Sequence, residues 1–112
     1  MIRITCYVRP HRVEQVKSAI AALGVSGLNV TDVRGTGSSP EEPSTFAGQI
    51  HLVPLPIRSK IEVVAPESMK ELIIEAIIEN ARTGESGDGK IFVEEVLDAI
   101  RIRTEERGLQ AI

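Results

Sequence analysis

The residues best suited to chemistry lie together in Gly84-Glu85-Ser86-Gly87-Asp88-Gly89-Lys90. Three glycines in this short run permit backbone turns that a Cβ would block. Consecutive amide groups in such a turn can converge on an anion, and Lys90 adds a cation beside them. The chemistry implied is phosphate binding. The spacing is not that of a Walker motif, and a strand pattern follows where that motif requires a helix. An ordinary surface turn with a solvated lysine has the same composition, which alone does not choose between the two. Arg101 and Arg103 form a second cationic pair. In an extended segment, residues two apart face the same side, so both guanidiniums would reach one polyphosphate. Taken alone, the pair reads as solvated and balanced by Glu105 and Glu106. Gly35-Thr36-Gly37 adds a glycine feature at a predicted strand end. The three features together raise the phosphate reading above what each carries singly.

Other chemistries find little support. His11 and His51 are far apart in sequence and do not suggest a metal-binding pair. Cys6 lies in a predicted strand with no evident base beside it, and reads as a buried structural thiol. The acidic pairs Glu41-Glu42, Glu94-Glu95 and Glu105-Glu106 are adjacent in sequence and point apart, which suits solvated surface better than acid–base catalysis.

The elements that must position these residues can be read from periodicity. Ile2, Ile4, Cys6 and Val8 alternate with Arg3, Thr5, Tyr7 and Arg9, the period of a half-buried strand. Pro10 ends it by removing a ladder donor. Val13, Val16, Ile20 and Leu23 recur at helical spacing and Gly24 follows at the helix end. Residues 27–35 read as a second strand and 36–56 show neither period, so a long loop is expected there. Residues 57–65 read as a strand closed by Pro66. A helix from Glu67 carries Met69, Leu72, Ile73, Ala76, Ile77 and Asn80 on one side. Residues 91–96 read as a further strand, and the charged segment 97–112 has no clear pattern. Strand–helix–strand, loop, strand–helix–strand is the ferredoxin-like βαββαβ plan, an α+β fold with both helices on one face of an antiparallel sheet. The opposite face is expected to carry apolar side chains that a symmetric oligomer would bury.

The chain has 112 residues, enough for one domain over 1–112. Its net charge of −3 argues against nucleic-acid binding by bulk charge. A single cysteine excludes an internal disulfide and fits a reducing cytoplasm. The opening MIRITCYVRP has no apolar stretch of signal-peptide or membrane-span length, so a cytoplasmic protein that is not membrane-embedded is expected. Only Tyr7, Phe46 and Phe92 are aromatic, which predicts an aliphatic core helped by shared burial between subunits.

The run Thr83-Gly84-Glu85-Ser86-Gly87-Asp88-Gly89-Lys90-Ile91-Phe92-Val93 resembles the C-terminal signature of the PII signal-transduction family. Ala99-Ile100-Arg101-Ile102-Arg103-Thr104, Val30-Thr31-Asp32-Val33-Arg34-Gly35 and Lys60-Ile61-Glu62-Val63-Val64 are similar to it as well, so the likeness spans the chain. The resemblance implies a compact homotrimer of ferredoxin-like subunits that is not an enzyme. It implies competitive binding of ATP or ADP between subunits, with AMP as a further ligand. It also implies a T-loop, here residues 36–56, that docks onto transporters or enzymes of nitrogen metabolism. Carried over by position, Asn29, Gly35, Gly37, Ser38, Glu62 and Val64 would line the adenosine and inner phosphate pocket. Gly87, Asp88, Gly89 and Lys90, in the phosphate loop 83–90, would hold phosphates. Arg101, Ile102 and Arg103, in the C-terminal segment 97–112, would reach in from the adjacent subunit.

Several positions depart from the family pattern. Ser39 replaces the glutamine that helps hold magnesium and 2-oxoglutarate in many relatives, and Arg58 replaces a lysine that pairs the 2-oxoglutarate carboxylate. Arg58 keeps the charge but changes reach and fork geometry. His51 stands where relatives offer a tyrosine for uridylylation, while Ser44 and Phe46 are further T-loop residues for partner contact. The leading expectation is an adenine-nucleotide sensor that controls nitrogen metabolism through its T-loop. The alternative is a divergent regulator of carbon or bicarbonate uptake or fixation that senses nucleotides without 2-oxoglutarate. A small ferredoxin-like enzyme lacks a nucleophile or ligand set, and a purely structural module would bind no nucleotide.

Overall fold

The computed structural model describes residues 1–25, 27–35, 44–46, 49–51 and 55–112. Strand β1 (Ile2–Val8) buries Ile2, Ile4, Cys6 and Val8, the alternation expected of it. Pro10 opens a 3₁₀ turn, Pro10–Arg12, that leads into helix α1 (Val13–Ala22). Val16 and Ile20 are its buried residues, and Gly24, at φ +83°, turns the chain away at its end. Strand β2 spans Asn29–Arg34 and β5 spans Ile57–Ala65, between which lie two short strands, β3 (Ser44–Phe46) and β4 (Gln49–His51). After a 3₁₀ turn at Glu67–Met69, helix α2 runs Lys70–Ala81, and strand β6 runs Lys90–Glu95.

The main sheet has the order β2-β5-β1-β6, and every neighbouring pair is antiparallel. Pleating sends alternate residues to opposite faces, so the register fixes which side chains share a face. One face gathers Ile2, Ile4, Cys6 and Val8 with Ile61, Val63 and Ala65, and α1 and α2 cover it with Val16, Ile20, Ile73 and Ile77. This is the aliphatic core; among the described residues no aromatic ring enters it. The fold is the expected ferredoxin-like α+β arrangement.

Four details differ from the sequence expectation. The segment 36–56 is not wholly irregular: Ser44–Phe46 pairs with Gln49–His51 in antiparallel register. Thr45, Phe46 and Ile50 favour strands, but the pattern is too short to register beside the surrounding Ser, Pro and Glu. The open face of the sheet is mostly polar rather than apolar. Cross-strand register places Arg3, Thr5 and Tyr7 there with Lys60, Glu62 and Val64 and with Lys90, Phe92 and Glu94. Its apolar contact is the edge-on pair Tyr7–Phe92, with ring centroids 6.2 Å apart. Leu72 is 49% exposed, because α2 meets the sheet through Ile73, Ala76, Ile77 and Ala81 instead. Finally, Arg101 and Arg103 do not lie in an extended segment. Residues 102–104 form a turn, closed by the isolated bridge Ile100–Arg107. The Arg101 amide donates to the Glu106 carbonyl at 2.9 Å and the Glu105 amide to the Arg101 carbonyl at 2.8 Å. The alternation of Ile and Arg mimics a strand, yet among the described residues it makes only that isolated bridge; Glu105, at φ +61°, reverses the chain instead.

Candidate functional site

Helix α2 delivers the chain to the glycine turn at one end of the sheet. The Arg82 amide still donates to the Ile78 carbonyl at 3.1 Å, and Arg82 itself is extended, so the helix stops there. Residues 83–89 then return to β6 at Lys90, opposite Tyr7 of β1. The turn is tied from within by Asp88. Its carboxylate accepts from the Thr83 amide at 2.8 Å, the Gly84 amide at 3.0 Å and the Thr83 hydroxyl. These bonds, led by the Thr83 hydroxyl, hold the Asp88 carboxyl well below the usual carboxylate range. The Asp88 side chain is therefore occupied in shaping the turn.

Arg9, just past the end of β1, ties the turn to the sheet. Its Nε donates to Asp88 Oδ1 at 3.2 Å and its Nη2 to the Ser86 carbonyl at 2.7 Å. Two guanidiniums meet over Gly87: a Cβ there would lie 3.2 Å from Arg58 Nη2 and 3.3 Å from Arg9 Nη2. Gly89 approaches the strand itself, and a Cβ on it would lie 1.6 Å from the Tyr7 carbonyl oxygen. That close contact with β1 requires glycine at this position. Lys90 is exposed on the open face, at the first position of β6.

Gly35 closes the same end of the sheet. Its amide donates to the Pro56 carbonyl at 3.1 Å, one rung beyond the pair Arg34–Ile57. The structure thus brings Gly35, Arg58, Gly87, Asp88, Gly89 and Lys90 to one sheet end. Asn29 and Glu62 pair with each other farther along the open face, and Val64 lies beyond them, opposite Arg3. Val64 and Lys90 are separated by four rungs of the ladder, roughly 13 Å at the strand rise. Glu62 carries an ion pair with Lys60 at 2.8 Å, which lowers the pKa of the acid and raises that of the amine.

The C-terminal residues sit elsewhere. The chain leaves the sheet at the end opposite the glycine turn, where the Val96 amide donates to the Met1 carbonyl at 3.1 Å. Arg101 then pairs with Glu106 at 3.3 Å, while Ile102 is 96% exposed at the tip of the turn. Gly37, Ser38 and Ser39 lie outside the described residues, as do the side chains of Ser44, Phe46 and His51. Arg9 is a residue of this site that sequence reasoning missed, whereas Thr83 lay inside the expected loop 83–90 without its bonds to Asp88 being read. The signal for Arg9 was its place as the last outward member of the Arg3, Thr5, Tyr7, Arg9 series, beside the strand-ending Pro10. Among the described residues, no group of three or more His, Cys, Asp or Glu is placed to hold a metal ion. No helix among them is long and apolar enough to cross a membrane.

The family model described as nitrogen regulatory protein P-II matches residues 1–106. The chain belongs to the P-II family. A nitrogen regulatory protein P-II 1 from Methanothermobacter thermautotrophicus is 42% identical over 112 residues, covering 100% of this chain and 97% of the relative. A P-II protein from Haemophilus influenzae is 40% identical with both chains fully covered. A P-II homolog from Arabidopsis thaliana is 43% identical over 110 residues, which span 97% of this chain and 56% of that longer protein. The family is one of regulators, and this P-II protein is a regulatory protein rather than an enzyme.

Proposed function

We propose that this P-II protein senses adenine nucleotides and passes their state to a transporter or enzyme of nitrogen metabolism through the T-loop, residues 36–56. The observation that carries the reading is the glycine turn itself: a rigid loop at the sheet end, with the cations Arg58 and Lys90 at its rim. Backbone amides and cations of this kind offset phosphate charge. Asn29, Glu62 and Val64 continue the site along the open face toward the nucleoside end. Arg101, Ile102 and Arg103 leave their own subunit at the opposite sheet end, which supports their completing the site of an adjacent copy in a homotrimer. Exposure of Leu97 at 97%, Ile102 at 96% and Leu109 at 58% supports the same assembly, since a partner would cover them.

The neck of the T-loop at Gly35 and Pro56 stands at the same sheet end as the glycine turn. A γ-phosphate adds charge beside Lys90 and Arg58, and T-loop conformers that accommodate it gain population. The shift equals the difference in affinity of the nucleotide for the two conformers. ADP or AMP, lacking that charge, leaves the balance elsewhere. Magnesium would accompany ATP. Calorimetry with ATP, ADP and AMP is the direct test: micromolar to millimolar binding is expected, and no heat with any of them at millimolar levels overturns the reading. Lys90→Ala is expected to weaken ATP by about 1–3 kcal/mol, the range for a lost bond to a charged group.

A second reading is favoured by Arg58, whose guanidinium donates to the Ile57 carbonyl at 3.1 Å while lying beside Gly87. With Ser39 and His51 at departing positions, it supports a carbon- or bicarbonate-linked regulator that does not use 2-oxoglutarate. Titration of 2-oxoglutarate in the presence of Mg-ATP separates the two, and tight ATP-dependent binding counts against this second reading.

A further inference from the structure

We infer that Arg9 is a positioning residue that fixes the glycine turn over the sheet end, acting through Asp88 and the Ser86 carbonyl. Two observations carry it. Asp88 closes the turn on itself, by its bonds to Thr83 and Gly84, but those bonds stay within residues 83–88 and do not attach the turn to the sheet. Arg9 supplies that attachment. It stands where β1 ends, its position set by the strand before it and by Pro10 after it, and it reaches residues 77 and 79 positions away in sequence. Its contacts are at two points on opposite sides of Gly87: Nε on Asp88 and Nη2 on the Ser86 carbonyl. A planar guanidinium can hold both at once in one geometry, whereas a lysine ammonium acts as a single point on a flexible stem. The Arg9 and Asp88 side chains are each only 23% exposed, so this brace is partly screened from water.

The inference rests on the nucleotide reading only for its consequence, since a turn held at two points presents its amides to a phosphate without reordering. The placement of the turn is testable without any ligand. Amide hydrogen exchange at Thr83 and Gly84, whose amides donate to the carboxylate that Arg9 also holds, reports the brace through Asp88. In Arg9→Ala, exchange at these two amides is expected to rise about tenfold or more, the loss of one charge-assisted bond, while protection at Ile73 and Ile77 in α2 stays at the wild-type level. Arg9→Lys, which keeps the charge and loses the fork, is expected to behave like Arg9→Ala. ATP affinity, measured by calorimetry, is expected to fall about tenfold in both variants.

Wild-type protection of Thr83 and Gly84 in Arg9→Ala overturns the inference. So does an Arg9→Lys protein that matches wild type in exchange and affinity, which makes Arg9 a charge and not a brace. Should Arg9→Ala fail to fold, Arg9→Lys alone decides by the same two readouts. If the wild-type protein binds no ATP, the nucleotide reading fails, and the exchange measurements still decide the role of Arg9.

Discussion

Replacing Gly89 by alanine separates two explanations of the same glycine. If Gly89 serves only to let a phosphate approach, Gly89→Ala folds normally and loses nucleotide. The geometry predicts a different outcome. A Cβ at 1.6 Å from the Tyr7 carbonyl oxygen and 2.8 Å from its carbonyl carbon meets the backbone of β1, which is held between β5 and β6 and cannot retreat. The φ of +110° adds about 1–3 kcal/mol for a residue that carries a side chain. Relieving the contact lifts the turn off β1 and loosens the Tyr7–Lys90 rung, costing about 1–3 kcal/mol for backbone groups left unpaired. The sum, about 2–6 kcal/mol, is a large part of a typical domain's stability. Gly84→Ala is the control. Its φ is +91°, but its Cβ would meet nothing within 4 Å, so only the backbone term remains, about 1–2 kcal/mol. Urea unfolding at one fixed protein concentration should rank Gly89→Ala as the less stable by about 2 kcal/mol. Equal destabilisation of the two variants, or a Gly89→Ala protein as stable as wild type, refutes the argument.

Three further outcomes follow from burial and charge. Cys6 is 1% exposed and burial pushes its thiol up to about 11, so it should resist thiol reagents at neutral pH and react on unfolding. Because its proton is held more tightly in the native chain, stability should also fall as pH rises above 9.0, the ordinary value, where the unfolded thiol ionises first. Rapid labelling of the folded protein would contradict this. Asp88 works in the opposite sense: its folded pKa is depressed, so its contribution is present above 3.8 and is lost as pH falls through the lower native value. Asp88→Asn should therefore be less stable than wild type at pH 7, with the gap narrowing in melts taken below pH 4. Ile73→Ala, at a fully buried site, should cost about 2–5 kcal/mol in denaturant unfolding. Leu72→Ala, one residue away and half exposed, should cost less than about 1 kcal/mol.

The elements were legible wherever local period and burial agree. Strand β1 alternates because one face meets the helices, and β5 ends at Ala65 because Pro66 cannot continue the ladder. The failures occurred where a local pattern was satisfied by distant partners. Ile100–Arg103 alternates like a strand, yet the acceptors that close it come from Glu106 and the Ala99–Gly108 contact. Leu72 fits the helical stripe by spacing, but the face that α2 buries runs through Ile73, Ala76, Ile77 and Ala81. Of the candidate site, the glycine turn and Lys90 were legible from composition. Arg9 was not, because its two partners lie more than seventy residues away and only the folded sheet brings them near. The work of Asp88 was equally hidden, since a carboxylate in a glycine-rich turn gives no sign that it binds the turn's own amides.

The hydrogen bond from Gly35 to Pro56 separates what is constrained from what is free to vary. It pins both ends of residues 36–55 to adjacent strands, so β2 and β5 keep their register whatever lies between. The entropy of closing such a segment grows slowly with its length, by about 0.6 kcal/mol for each doubling. The neck is thus a graft point. A P-II chain built this way can exchange the segment between the two strands, in sequence and in length, without renegotiating the sheet that carries the glycine turn. Sequence change inside the neck thus carries little thermodynamic cost to the scaffold.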